Sequence, residues 1–183
     1  MFAPLGIGPG LTFDPTSLSE AQRRGLLRGV QAGYDRVVAH AREIGENRNG
    51  WRYATDLGRY GSNRLLASAT GMSGNGANAA EEAMYIPVFI DGTGESLDGS
   101  RRYRIHFDAD NLPPAKAFWS VTMYNLPENQ LIDNPIDRYA FGDRTPTLKR
   151  GADGSIDIHV QKDKPMGDAA ANWLPSPSPT VSA

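Results

Sequence analysis

The hydrophobic period of this chain changes once along its length, and that change limits the fold more than any other feature. In the first part, Leu27, Val30, Tyr34, Val37, Ala41 and Ile44 recur at steps of three and four, which places them on one helix stripe. Arg23, Arg28, Arg36 and Glu43 fall largely elsewhere. Ser17-Leu18-Ser19-Glu20 has the S-x-x-E form of a capping box, and Gly45 is the expected stop. A loop is expected over 46–51, a second helix over 62–70 ending at Gly71, a small-residue loop over 71–80 and a helical turn over 81–84. From Tyr85 the period becomes two. Tyr85 to Ile90 reads as a strand that Pro87 pushes to an edge or a bulge. Tyr103, Ile105 and Phe107 alternate with Arg102, Arg104, His106 and Asp108, and Ile156-Asp157-Ile158-His159-Val160 alternates as cleanly. Phe118 to Tyr124 is apolar on both faces, the pattern of a central, covered strand, and Tyr139 to Phe141 reads as a short one.

Helices first and short strands later predict an α+β chain with an antiparallel β sandwich. The expected organisation is an irregular arm over 1–16, a helical segment over 17–84, a β-sandwich domain over 85–175 and a Pro- and Ser-rich disordered tail over 176–183.

Composition removes several function classes. The 183 residues carry 19 basic and 21 acidic side chains, scattered rather than blocked, for a net charge of -2. That balance argues against nucleic-acid binding and against a polybasic membrane contact. No apolar run approaches the roughly 18 residues of a membrane helix, so no membrane insertion is expected. The absence of cysteine excludes disulfides, zinc–thiolate sites, iron–sulfur clusters and thiol nucleophiles. The opening Met1-Phe2-Ala3-Pro4 has no basic region and is soon broken by Pro and Gly, so it does not read as a signal peptide. The compartment stays open.

Motifs for chemistry are sparse. His40 lies on the flank of the first helix, while His106 and His159 lie on the polar faces of two strands. If those strands are neighbours, the two imidazoles share a surface and could serve as acid, base or metal ligand with Asp108 or Asp157. Solvent-facing strand positions are the plainer account. No G-x-S-x-G elbow is present. Gly74-Asn75-Gly76-Ala77-Asn78-Ala79 fits G-x-G-x-x-A, but a dinucleotide loop needs a strand before it and a helix after it, and here the order is reversed. Asp108-Ala109-Asp110-Asn111 lacks the glycine and distal glutamate of a calcium loop. No cofactor is expected. A stronger candidate group is Tyr124, Asn134, Arg138, Tyr139, Asp143, Arg144, Asn172 and Trp173. Such aromatic faces and directed donors line pockets for polar small molecules and glycans. The same residues also serve to lock loops, by an Arg138–Asp143 pair or an Asn134 turn before Pro135.

At these residues the chain resembles the family catalogued as domain of unknown function 1214. The matching phrases are Asn49-Gly50-Trp51, Tyr103 to Phe107, Pro113-Pro114, Phe118-Trp119-Ser120 and Thr122-Met123-Tyr124. They continue with Asn134-Pro135-Ile136, Arg138-Tyr139, Gly142-Asp143-Arg144, Asp153-Gly154-Ser155 and Asn172-Trp173-Leu174-Pro175, together covering about residues 45 to 175. The resemblance implies a jelly-roll-like sandwich after a small helical segment. Such proteins are commonly exported in bacteria and often carry a second β domain, of the family numbered 1254. It carries over no catalytic residue. Family members continue past the Asn-Trp-Leu-Pro phrase into an apolar final strand, which this chain would lack, leaving an open sheet edge and a tendency to self-associate.

Three readings follow. One is a sandwich that binds a polar small molecule or envelope glycan without turnover. Another is a hydrolase or lyase using His106 or His159 with a carboxylate. The third is an assembly module that recruits a partner through its open edge.

Overall fold

A computed structural model describes residues 2–74, 76–126 and 128–177. The chain divides into two compact units, Met1–Phe89 and Ile90–Ala183. Both α-helices lie in the first unit, with a two-stranded hairpin between them, and the remaining strands lie in the second, an α+β arrangement.

In the first unit, Asp14 accepts hydrogen bonds from the Thr16 amide at 2.8 Å and from its hydroxyl at 2.6 Å. This fixes a single 3-10 turn over Pro15–Ser17 and delays the helix. Helix α1 therefore spans Glu20–Ala41, and its capping box is Ser19 with Gln22 rather than Ser17 with Glu20. Both serines have an acid or amide three residues on, and the proline turn decides between them. Gly45 lies four residues beyond the helix. Its φ of +78° and a would-be Cβ only 2.8 Å from the Tyr53 carbonyl explain why glycine stands there.

The apolar stripe of α1 departs from expectation in its burial. Val37, Ala41 and Ile44 are half-buried, but Leu27, Val30 and Tyr34 are 64%, 63% and 58% exposed, and no residue of α1 is fully buried. Helix α2, Arg64–Ser73, packs against α1 and runs through Gly71. Asn63 caps it by accepting from the Leu66 amide at 3.1 Å. Between the helices, the expected loop is a hairpin of β1 (Glu46–Arg48) and β2 (Trp51–Tyr53). Asn49 and Gly50 both have positive φ, 53° and 86°, the requirement of a tight two-residue hairpin turn. The stretch 85–90 contributes single bridges rather than a strand: Val88 to Trp51 and Ile90 to Ser96. Pro87 has no amide to donate, and its carbonyl accepts from the Arg52 amide at 2.8 Å.

The second unit holds the hydrophobic core. Strand β3 (Tyr103–Phe107) pairs antiparallel with β6 (Ile156–Gln161), and β6 pairs parallel with β7 (Trp173–Pro175). The register sets Tyr103, Ile105 and Phe107 opposite Val160, Ile158 and Ile156. Period two then puts all six on one face, where Ile156, Ile158, Val160, Leu174 and Phe141 are buried. Half-buried Leu112, Trp119, Val121, Met123 and Leu148 close around them, with the Trp119 and Phe107 rings 5.2 Å apart. Strands β4 (Ser120–Thr122) and β5 (Ala140–Gly142) form a separate antiparallel pair. The expected central strand over 118–124 is thus three residues long and paired on one side among the described residues. Phe118 and Tyr124, at its ends, are exposed. Among the described residues the strands form small sheets of two, three and two, antiparallel except for the parallel β6–β7 pairing. Ser176, assigned to the tail from sequence, is buried. Its amide donates to the Gln161 carbonyl and its hydroxyl to that of Gly99. Residues 178–183, most of the expected tail, lie outside the described residues.

Candidate functional site

Two groups of polar residues in the second unit bear on function. The first is the face of β3 and β6 opposite the core. The register sets Arg104 opposite His159 and His106 opposite Asp157. His106 and His159 therefore share a face of neighbouring strands, as a joint site would need, but sit diagonally. His106 is instead clamped between carboxylates. Its Nδ1 lies 2.7 Å from Asp157 Oδ1 and its Nε2 3.2 Å from Asp108 Oδ1. A carboxylate only accepts, so this pair of contacts favours the imidazolium form, in which both ring nitrogens donate. The bonds to Asp157 and then Asp108 raise the His106 pKa above the usual imidazole value. Arg104 reaches the other oxygen of Asp157 at 3.7 Å. While it is protonated, His106 donates through both nitrogens and has no lone pair for a base or a metal ligand. Among the described residues no group of three or more His, Asp or Glu side chains is placed to hold a metal ion.

The second group is the aromatic, Arg and Asn set. Asn134 closes its own loop: its amide donates to the Ile132 and Arg138 carbonyls, both at 3.1 Å, and its oxygen accepts from the Ile136 and Arg138 amides. Arg138 reaches across to the β7 approach. Its Nη1 donates to the carbonyls of Ala171 (3.2 Å) and Trp173 (2.7 Å), and its Nη2 donates to Thr147 Oγ1. The guanidinium lies over the Phe141 ring at 5.6 Å, and burial lowers its pKa. Asn172 is buried and donates to the carbonyls of Lys149 and Asp157 while accepting from the Lys149 amide. Trp173 is buried, and its indole N–H donates to the Gln161 carbonyl. The loop-locking alternative is what these atoms do.

Asp143 and Arg144 hold a different segment. Asp143 Oδ1 accepts from the Trp119 amide at 3.1 Å, and Arg144 Nη2 donates to the Ala117 carbonyl with its guanidinium 4.7 Å over Phe118. Asp143 is thus paired to backbone, and the expected Arg138–Asp143 pair is replaced by these two separate locks. Tyr124 is exposed and bridges Leu131, and the Tyr139 carbonyl accepts from the Met123 amide.

A groove of about 500 Å3 opens beside this set. Its walls include Asn125, Ile132, Asn134, Lys162, Asp163 and Pro175. Of the eight candidates only Asn134 lines it. Lys162 and Asp163 gave no sequence signal beyond isolated charges after a strand.

The phrases that hold these loops together are those on which the family resemblance rests. A family model described as a protein of unknown function, DUF1214, matches residues 82–182. The chain belongs to this family. Its matched region contains both polar groups and the whole core, and omits α1 and α2. Among solved structures, the DUF1214 chain is similar to the VPA0106 protein of Vibrio parahaemolyticus. The two are 25% identical with a TM-score of 0.62, over 97% of this chain and 42% of the other. The chain thus spans less than half the length of that relative. No curated protein matches it.

Proposed function

We propose that this DUF1214 chain is a non-catalytic assembly module, working by presenting apolar surface to a partner. The observation that carries this reading is the burial in the first unit. Among its described residues only Leu66, Ala69 and Thr70 are buried, while Phe2, Leu27, Val30, Tyr34 and Tyr85 are each more than half exposed. In the second unit Phe118, Tyr124, Leu126 and Leu131 are each more than half exposed. The polar groups support the same reading, because Asn134, Arg138, Asn172 and Trp173 are engaged with backbone.

The test is native-state binding of a hydrophobic dye such as anilinonaphthalene sulfonate at low micromolar protein. Strong emission is expected from the folded chain while its apolar surface is free, and loss of that emission once a partner covers it. A folded monomer that stays dark would overturn the reading. Polar-ligand or glycan binding remains a second reading on the strength of the groove, where Lys162 and Asn134 face one opening. It predicts a thermal shift with small anionic or neutral sugars that Lys162→Ala removes.

A further inference from the structure

We infer that Asn49 is a site of self-modification by deamidation, and that the Asn47 side chain is the latch that holds the reaction in check. This stands apart from the assembly reading and holds for a chain with or without a partner. In an Asn-Gly pair the glycine backbone nitrogen can attack the asparagine carboxamide carbon, because the glycine has no Cβ to crowd the approach. The new N–C bond closes a five-membered succinimide. The carboxamide nitrogen leaves as ammonia, taking the proton that the backbone nitrogen gives up. Water then opens the ring at either carbonyl, leaving aspartate or, with one more carbon in the backbone, isoaspartate. Water is the only co-reactant.

The sequence holds this dipeptide twice, at Asn49-Gly50 and Asn75-Gly76, and the structure describes the surroundings of the first. Asn49 is exposed at the tip of the β1–β2 hairpin, where water and base reach its side chain. Two features oppose the reaction there. The Gly50 amide, which is the nucleophile once deprotonated, donates to Asn47 Oδ1 at 2.9 Å. A bonded amide gives up its proton when the bond opens, as in hydrogen exchange. The second feature is the turn itself, set by positive φ at both residues, 53° and 86°. Ring closure needs the bond between the Asn49 Cα and carbonyl carbon to rotate out of the turn conformation. The hairpin is therefore the gate. Arg48 helps to keep it shut, with its guanidinium 5.0 Å over the Tyr53 ring of the opposite strand.

Once formed, the product does not fit the closed hairpin. Aspartate adds a negative charge to the turn, while isoaspartate lengthens a two-residue connection by one backbone carbon. The Arg48–Trp51 pairing that closes the turn, and the bridge from Trp51 to Val88 beside it, both depend on the shorter connection. Modification at Asn49 thus loosens the hairpin from the stretch 85–90.

The test incubates the full chain near pH 8, folded and in urea. Ion exchange separates the acidic forms, and mass mapping of the tryptic peptide 49–52 locates the change. Conversion at Asn49 should be at least about tenfold slower in the folded chain than in urea. Asn47→Ala removes the acceptor and should raise the folded rate about fivefold, the factor one hydrogen bond is worth. Asn47→Asp keeps an acceptor oxygen at the same reach and should stay near the wild-type rate. Circular dichroism checks that each variant is folded; if the alanine variant is not, the urea comparison and Asn47→Asp decide. Wild type that converts as fast folded as in urea overturns the inference, as does a folded Asn47→Ala no faster than wild type. A folded Asn47→Asp well above the wild-type rate also overturns it, because the acceptor oxygen is then not what holds the amide.

Discussion

Replacing Asn172 by alanine separates a structural lock from a ligand contact. The side chain is 6% exposed and makes three hydrogen bonds to backbone: to the Lys149 carbonyl at 2.7 Å, to the Asp157 carbonyl at 2.9 Å, and from the Lys149 amide at 2.8 Å. Each is worth about 1 kcal/mol net, and truncation leaves buried partners unsatisfied, so Asn172→Ala should cost about 3 kcal/mol. For a unit of this size that lowers the melting temperature by roughly 12–24 °C. Asn172→Asp sharpens the test because it keeps the shape. At neutral pH its carboxylate faces two carbonyl oxygens with no proton to donate, so it should be worse than alanine. Those oxygens and burial raise its folded pKa above the unfolded value near 3.9. The added penalty is therefore absent below that value and grows as pH rises towards the folded pKa. Urea denaturation at pH 4 and pH 7 measures both. Alanine within about 0.5 kcal/mol of wild type, or aspartate milder than alanine at pH 7, would refute the lock.

Three further outcomes follow from the same structure. His106, whose folded pKa is raised, contributes stability that is complete below the unfolded imidazole value near 6.5 and is lost as pH rises through the folded value. The gap in melting temperature between wild type and His106→Gln should therefore narrow on going from pH 6 to alkaline pH, and a gap that widens would contradict the carboxylate clamp. Ile158→Ala empties a fully buried site at the centre of the core and should cost about 2–5 kcal/mol in chemical denaturation, against about 1 kcal/mol for Ile158→Val. Gly142→Ala drives a methyl group into the Trp119 carbonyl at the β4–β5 pairing and should cost about 3 kcal/mol, with Asp143 amide exchange accelerating.

What was legible in the sequence was whatever depends on period and local turn chemistry. The alternation at 103–107 and 156–160 identified the two strands that share the core, because side-chain period two is a property of the backbone itself. The Asn49-Gly50 turn is equally local, a hairpin signal inside a stretch whose polar composition reads as a loop. What escaped was set by contacts distant in sequence. A 3.6-residue stripe states that Leu27, Val30 and Tyr34 share a side, but not that anything covers them. Apolar residues on both faces of 118–124 suggested a central strand, yet Phe118 lies under the Arg144 guanidinium at the surface. The candidate polar residues were found as a group, but their direction was hidden. Whether Arg138 points at a ligand or at the Ala171 carbonyl is decided 33 residues away.

The residues that identify the family have a physical reason to recur without any chemistry attached. The chain runs from β4 to β5 and from β6 to β7 through connections with little regular structure, and every buried peptide group in them needs a partner. Asn134 satisfies four backbone groups of its own loop and Asn172 three across two segments, while Arg138 ties the first loop to the carbonyls of the second. Few other side chains combine two amide donors with an acceptor at that length, or present a planar fork of donors over an aromatic ring. Substitution at such a position opens several backbone bonds at once. An Asn-Pro-Ile-x-Arg-Tyr or Asn-Trp-Leu-Pro phrase therefore marks an architecture.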